Sequence, residues 1–202
     1  MPQPTTRMSS YIAGLPKGLE SYPECQAKGT IVRSFVLDAV PEATLQAAAL
    51  PEPVATLLRT PPLNSVWVPE VQFFACMLAV RDLLGFADDA AWKRWFQERN
   101  QQALTNPVLR LVMNFTSAEM LLSLGGTFWS TTHRGSKLSV VEKASHGATF
   151  ALEYPHNLVD AQVADLLTVA LTVPLLLTRA KAPVVALASS TSTCSTYKGT
   201  WQ

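Results

Sequence analysis

The apolar residues change their spacing once along this chain, and that change limits the folds it can reach. Up to about Trp129 they recur every three or four residues, as in helices that bury one stripe. Beyond Arg134 and Gly135 the spacing drops to two. Leu138 and Val140 alternate with Ser139 and Val141, a turn follows at Ser145, His146 and Gly147, and Phe150, Leu152 and Tyr154 alternate on the way back. This pattern predicts a hairpin. Residues 159–178 then form a strongly apolar helical run, kinked or ended near Pro174, and 183–189 and 194–201 predict two further strands joined by a Ser/Thr turn at 190–193. A helical half followed by strand, strand, helix, strand, strand predicts the α+β class, with the N-terminal helices packed on a C-terminal antiparallel sheet.

Within the helical half, punctuation comes mainly from proline, glycine and capping residues. Residues 1–28 hold Pro, Ser and Gly with only Tyr11, Ile12, Leu15, Leu19 and Tyr22 as apolar anchors, and are expected to lie as an extended arm on a single domain spanning 29–202. Thr30 is placed to cap a helix carrying Ile31, Val32, Phe35, Val36 and Val40, and Pro41 restarts a short one. A proline-rich connector over 51–68 has one helical turn near Val54. Pro69 opens the next helix, with Val71, Phe74, Ala75, Leu78 and Ala79 as its apolar residues and Gly85 as its left-handed stop. Asp88 or Asp89 caps a helix with Trp92, Trp95 and Phe96. Asn106-Pro107 starts another, and Thr116, Ser117, Ala118 and Glu119 spell a capping box before one that Gly125 and Gly126 interrupt by a kink or a close helix contact.

Composition decides which partners to expect. The chain has 202 residues, 48% of them hydrophobic and 15% charged, enough apolar surface for one sizeable core that forms without a cofactor. Its net charge is +1, with Lys and Arg scattered, so no basic footprint for a nucleic acid exists. Cys25, Cys76 and Cys194 are three in number and never in a CxxC spacing, which fits a reducing cytoplasm. No signal-peptide pattern opens the chain. The longest apolar stretch, 158–177, contains Asp160, Gln162, Asp165 and Pro174, and is expected to be a buried helix and not a membrane span.

Catalytic and metal chemistry lacks a local basis. His133, His146 and His156 fall in expected loops without a second ligand at helical spacing. There is no GxSxG, and Gly125-Gly126 lacks the Lys-Ser or Lys-Thr of a phosphate loop. Glu142 and Glu153 are read as solvent-facing strand residues or, in the alternative, as a carboxylate pair facing across the hairpin, which with His133 and His156 would supply the candidates for acid/base work. Cys76, inside an apolar helix, is read as a small hydrophobe or, in the alternative, as a site of lipid attachment or a ligand contact in a pocket.

The run Lys28-Gly29-Thr30-Ile31-Val32, followed by Phe35, Leu37 and Val40, resembles the opening of the haem-based nitric-oxide and oxygen-binding domains. The order of elements is also similar to that superfamily, which includes vinyl-reductase-type ligand-binding domains and vesicle-tethering subunits. Over 27–201 the chain resembles a myxobacterial paralogous family of unknown function that runs from the Lys-Gly segment to a terminal Tyr-x-x-x-Trp, here Tyr197 to Trp201. The haem-binding members carry a proximal histidine and a Tyr-x-Ser-x-Arg motif. The tyrosines here stand in Tyr154-Pro155-His156-Asn157-Leu158 and Tyr197-Lys198-Gly199-Thr200-Trp201, so no haem residue carries over and no cofactor is expected.

The resemblance and the apolar surplus together imply a non-enzymatic module that senses an apolar small molecule or contacts a protein. Phe74, Cys76, Leu78, Trp92, Trp95, Phe96 and Trp129 are the candidates for its pocket or dimer face. The alternative is an assembly subunit, a homo-oligomer or part of a larger complex, held by the aromatic helix and an exposed strand edge at 194–201.

Overall fold

The computed structural model describes residues 5–103, 117–178 and 180–202, so the helix expected from Asn106-Pro107 lies outside the described residues. The architecture is α+β, with helices dominating the N-terminal part and a four-stranded antiparallel sheet in the C-terminal part. The chain divides into two compact units, Met1–Arg94 and Trp95–Gln202.

The first unit contains α1 (Thr6–Ala13), α2 (Gly29–Val36), α3 (Glu42–Ala47), α4 (Glu52–Arg59), α5 (Glu70–Leu84) and the beginning of α6 (Asp89–Ala103). Residues 6–28 are not an extended arm. Thr6–Ala13 is helical and packs on α5, with Met8, Tyr11 and Leu15 buried. Thr5 does not cap α1 with its side chain. The carboxylate of Asp82 takes that place, accepting from the Arg7 backbone N at 2.9 Å and from the Arg7 guanidinium at 2.8 Å. A helix N-terminus has unbonded N–H groups that need such an acceptor, and here it comes from 75 positions away in sequence.

Two three-residue strands, β1 (Gln26–Lys28) and β2 (Trp67–Pro69), pair antiparallel, and each runs straight into a helix. Gly29 N donates to Val66 O at 2.8 Å and Glu70 N donates to Cys25 O at 2.9 Å, so the first N–H of each helix is held beside the other strand. A Cβ at position 29 would overlap the Leu63 carbonyl, which is why glycine stands there. From α5, Val71, Phe74, Cys76, Met77 and Leu78 are all buried, so this helix is enclosed on every side and ends at Gly85 with φ 59°. The Phe35 ring meets Phe73 and Trp92 edge-on, at 5.8 and 6.3 Å between centroids.

The second unit holds the rest of α6, then α7 (Ala118–Thr132), β3 (His133–Arg134), β4 (Lys137–Ala144), β5 (Gly147–Glu153), α8 (Ala161–Leu176), β6 (Val184–Ser190) and β7 (Cys194–Thr200). The cap of α7 is Ser117, one residue later than the capping-box spelling suggests, and it accepts from Met120 N at 3.2 Å. Gly125 and Gly126 do not interrupt α7. A Cβ on Gly126 would sit 3.0 Å from the Leu138 carbonyl, so its lack of a side chain serves the approach of α7 to β4. Asp160 caps α8 by accepting from Val163 N at 2.8 Å, and Pro174 falls in the last turn.

The sheet runs in the order β4-β5-β7-β6, with every neighbouring pair antiparallel. β5 and β6 are therefore parallel to each other, joined through α8 and separated by β7. In register, Leu152 pairs with Ser195, Phe150 with Tyr197 and Ala148 with Gly199, and all six are buried on one face. Leu138 and Val185 extend this buried row onto the outer strands, while α7 packs against β4 and α8 against β6 and β7. The other face carries Thr149, Ala151, Thr196 and Lys198, half-buried or exposed.

Candidate functional site

The candidate residues on α5 and early α6 build the core of the first unit. Phe74, Cys76, Leu78 and Trp92 are each 2% exposed or less, and the thiol of Cys76 donates to the Val54 carbonyl at 3.7 Å. Burial raises the pKa of Cys76 well above that of an ordinary thiol, which suits a packed side chain and not a reactive one. Phe96 and Trp129 are buried in the second unit, where the Trp129 ring stacks on His133 at 3.8 Å and its indole N–H donates to Ser136. Trp95 is half-buried under the Arg99 guanidinium, 5.1 Å from the ring centroid.

Glu142 and Glu153 are exposed strand residues, as the first reading had them, and the alternative carboxylate pair does not form. Register places Glu153 opposite Lys137 and Glu142 opposite Thr149, because the hairpin closes at Ser145-His146 with a bulge between Val140 and Glu142. His146 lies in that turn and His156 in the loop after β5, both exposed. Among the described residues, no three His, Cys, Asp or Glu side chains come together as a metal site, and no helix is long and apolar enough to cross a membrane.

A cleft of about 320 Å³ opens at the C-terminal end of α5, lined by Arg7, Arg81, Asp82, Phe86, Asp88 and Asp89. Both guanidiniums are engaged, Arg7 by Asp82 at 2.8 Å and Arg81 by Asp89. The Asp82 side chain is 2% exposed, so the first pair serves to seat α1 and cap it.

The sheet of the second unit presents a different arrangement. Its loop between β6 and β7 is fixed by a relay of hydroxyls. Tyr154 Oη donates to the Thr191 carbonyl at 3.0 Å and lies 2.7 Å from Ser195 Oγ, which in turn lies 3.0 Å from Ser190 Oγ. Backbone bonds from Tyr154 N to Thr193 O and from Asn157 N to Ser192 O hold the same loop. Tyr197, two residues along on the same buried face, has its hydroxyl pKa raised chiefly by burial. At the other end, Lys181 and Gln202 exchange both backbone bonds at 2.9 Å, so β6 is pinned at each end.

Between these pins, β6 is a sheet edge. The exposed edge is not at 194–201, as the sequence suggested: β7 sits in the interior, bonded on both sides, because β6 comes back beyond it. The two outer strands differ in chemistry. β4 carries Lys137, Glu142 and Lys143, and a bulge. β6, Val-Val-Ala-Leu-Ala-Ser-Ser, has no ionisable side chain, and its Val184, Ala186 and Ala188 are exposed. Charge and bulges are the usual protection of an edge, and among the described residues β6 has its bulge between Leu187 and Ser189 and Pro183 before it. The sequence signal for this was the absence of charge over 184–190; which strand would be outermost was not readable from it.

No known protein family, curated protein or solved structure matches this chain.

Proposed function

We propose that this chain is a non-enzymatic protein-interaction module whose working surface is the β6 edge of its C-terminal sheet. One observation carries the reading: Val184–Ser190 is an uncharged, partly apolar outer strand fixed at both ends, and among the described residues it pairs with β7 alone. An edge strand offers a row of backbone donors and acceptors that another strand can extend. Pre-ordering by the Tyr154 hydroxyl relay and the Lys181–Gln202 pair lowers the entropy lost on binding. The closed packing around Phe74, Cys76, Leu78 and Trp92 supports an interaction role over an apolar pocket at those residues.

Parallel affinity purifications from the native host, with the wild-type chain and with Ala186→Lys, test this. A lysine on the edge adds a charge that opposes strand addition and leaves the buried face untouched. Proteins, including tagged second copies, that the wild type retains and the variant loses are the expected result. The same set retained by both overturns the β6 reading.

A further inference from the structure

Resting on that reading, we infer that the strand added to β6 is β6 of a second copy, paired antiparallel about a two-fold axis to join two four-stranded sheets into one of eight strands. A two-fold places the same strand opposite itself, and that arrangement succeeds only where the strand is compatible with its own image. β4 meets this requirement less well, most clearly in its central register. Centring its self-pairing on Val140 would put Lys137 opposite Lys143, like charges in direct cross-strand contact, and its bulge lies in the middle of the strand. β6 meets it in every register, since 184–190 holds no charge to oppose another.

The position of the axis follows from the interruptions at either end. Pro183 has no N–H to donate, and the bulge between Leu187 and Ser189 breaks the ladder, so the regular segment is Val184 to Leu187. An axis through Val185 sets Val185 opposite Val185 of the second copy and Val184 opposite its Ala186, so that buried-face residues meet buried-face residues and open-face residues meet open-face ones. The same axis carries Lys181 to the level of Ser189 in the second copy, well away from the other Lys181. On the open face of the sheet, Val184 is 56% exposed, and pairing would cover part of this apolar surface at the joint. A partner strand bearing charges would gain nothing from β6, which has no complementary charge to offer; the uncharged image of β6 itself loses nothing by pairing with it.

Four residues from each copy make a small interface, so the dimer is weak, with a dissociation constant on the order of 10⁻⁵ to 10⁻⁴ M. Sedimentation velocity of the purified full chain over a concentration series from about 1 to about 500 µM spans that range. The expected result is a monomer–dimer equilibrium that Ala186→Lys and, independently, Val184→Lys weaken by at least about tenfold, with unchanged circular dichroism. Both side chains are exposed, and Val184 faces Thr200 of β7 where Ala186 faces Lys198, so Val184→Lys is the variant that adds no like-charge contact within the monomer. A wild type that stays monomeric throughout, or a dimer that neither lysine weakens, overturns the second-copy inference. A monomeric wild type whose captured partners are still lost from Ala186→Lys would end this inference and leave the β6 edge standing as a surface for other proteins. If capture is also insensitive to the lysine, both fail.

Discussion

The two units dispose of their apolar residues in opposite ways. In the first, α5 is buried on all sides by α1, α4 and the β1–β2 pair, and its aromatic neighbours Phe35, Phe73 and Trp92 meet edge-on. In the second, a sheet buries one face, leaves the other half-covered and ends in an uncharged strand. A helix satisfies its own backbone, so a helical unit can close once its stripes are covered. A sheet that is not a barrel always leaves two edges. The contrast teaches that aromatic content is a poor guide to what a fold leaves exposed: the richest cluster belongs to the closed unit, while the outer strand β6 presents valine, alanine and serine.

Trp92→Ala is the strongest way to test this contrast. If the first unit is closed and tightly packed, removing a side chain that is 0% exposed and in contact with the Phe35 and Phe86 rings costs about 3–5 kcal/mol, read from the urea midpoint by circular dichroism. A loss below about 1 kcal/mol would mean that the surroundings collapse readily around the gap, and that the first unit is as adaptable as a binding pocket.

Next in size is Tyr154→Phe in the second unit. The ring stays, but the Thr191 carbonyl and Ser195 Oγ each lose a partner, for an expected cost of about 1–3 kcal/mol. The variant sharpens the comparison through a second readout. If the hydroxyl relay orders β6 in advance, amide exchange in 184–190 speeds up relative to 147–153, whereas equal changes in both strands would make Tyr154 a general core residue.

What the sequence made legible follows the range over which each signal acts. The hairpin, the α8 helix and the β6–β7 pair are written in local alternation and apolar runs, and these, with the Gly85 stop after α5, lie where expected. The helical state of 6–13 was legible only in part: Met8, Tyr11 and Leu15 stand at helical spacing, but the capping group, Asp82, is remote in sequence, and the surrounding Pro, Ser and Gly favour an extended reading. β1 and β2 are only three residues each, shorter than any periodicity can register. The edge was misplaced for a related reason. Alternation gives the faces of a strand but not its neighbours, and β7 enters the interior only because β5 pairs with it across an intervening helix and strand.

Near the onset at pH 9.0 the smallest effect expected is on the pH dependence of stability, and it separates the units by where each begins to respond. Burial, reinforced by Glu70 and Glu24, pushes the Cys25 thiol in the first unit up to about 12 from 9.0. Below the unfolded value both states hold the proton and stability is unaffected. Above it the unfolded chain ionises first, so stability falls as pH rises from 9.0 towards about 12. Tyr197 in the second unit is also pushed upward by burial, but from 10.0, so its contribution is lost in the same direction from a higher starting pH. Cys25→Ala is therefore expected to flatten the decline in urea midpoint that sets in above 9.0, and Tyr197→Phe only the part beyond 10.0. Flattening by Cys25→Ala is partial, since Cys76 shares its window and its direction. If Tyr197→Phe removes the earlier part of the decline, the alkaline weakness originates in the sheet, and the first unit is the more tolerant of the two.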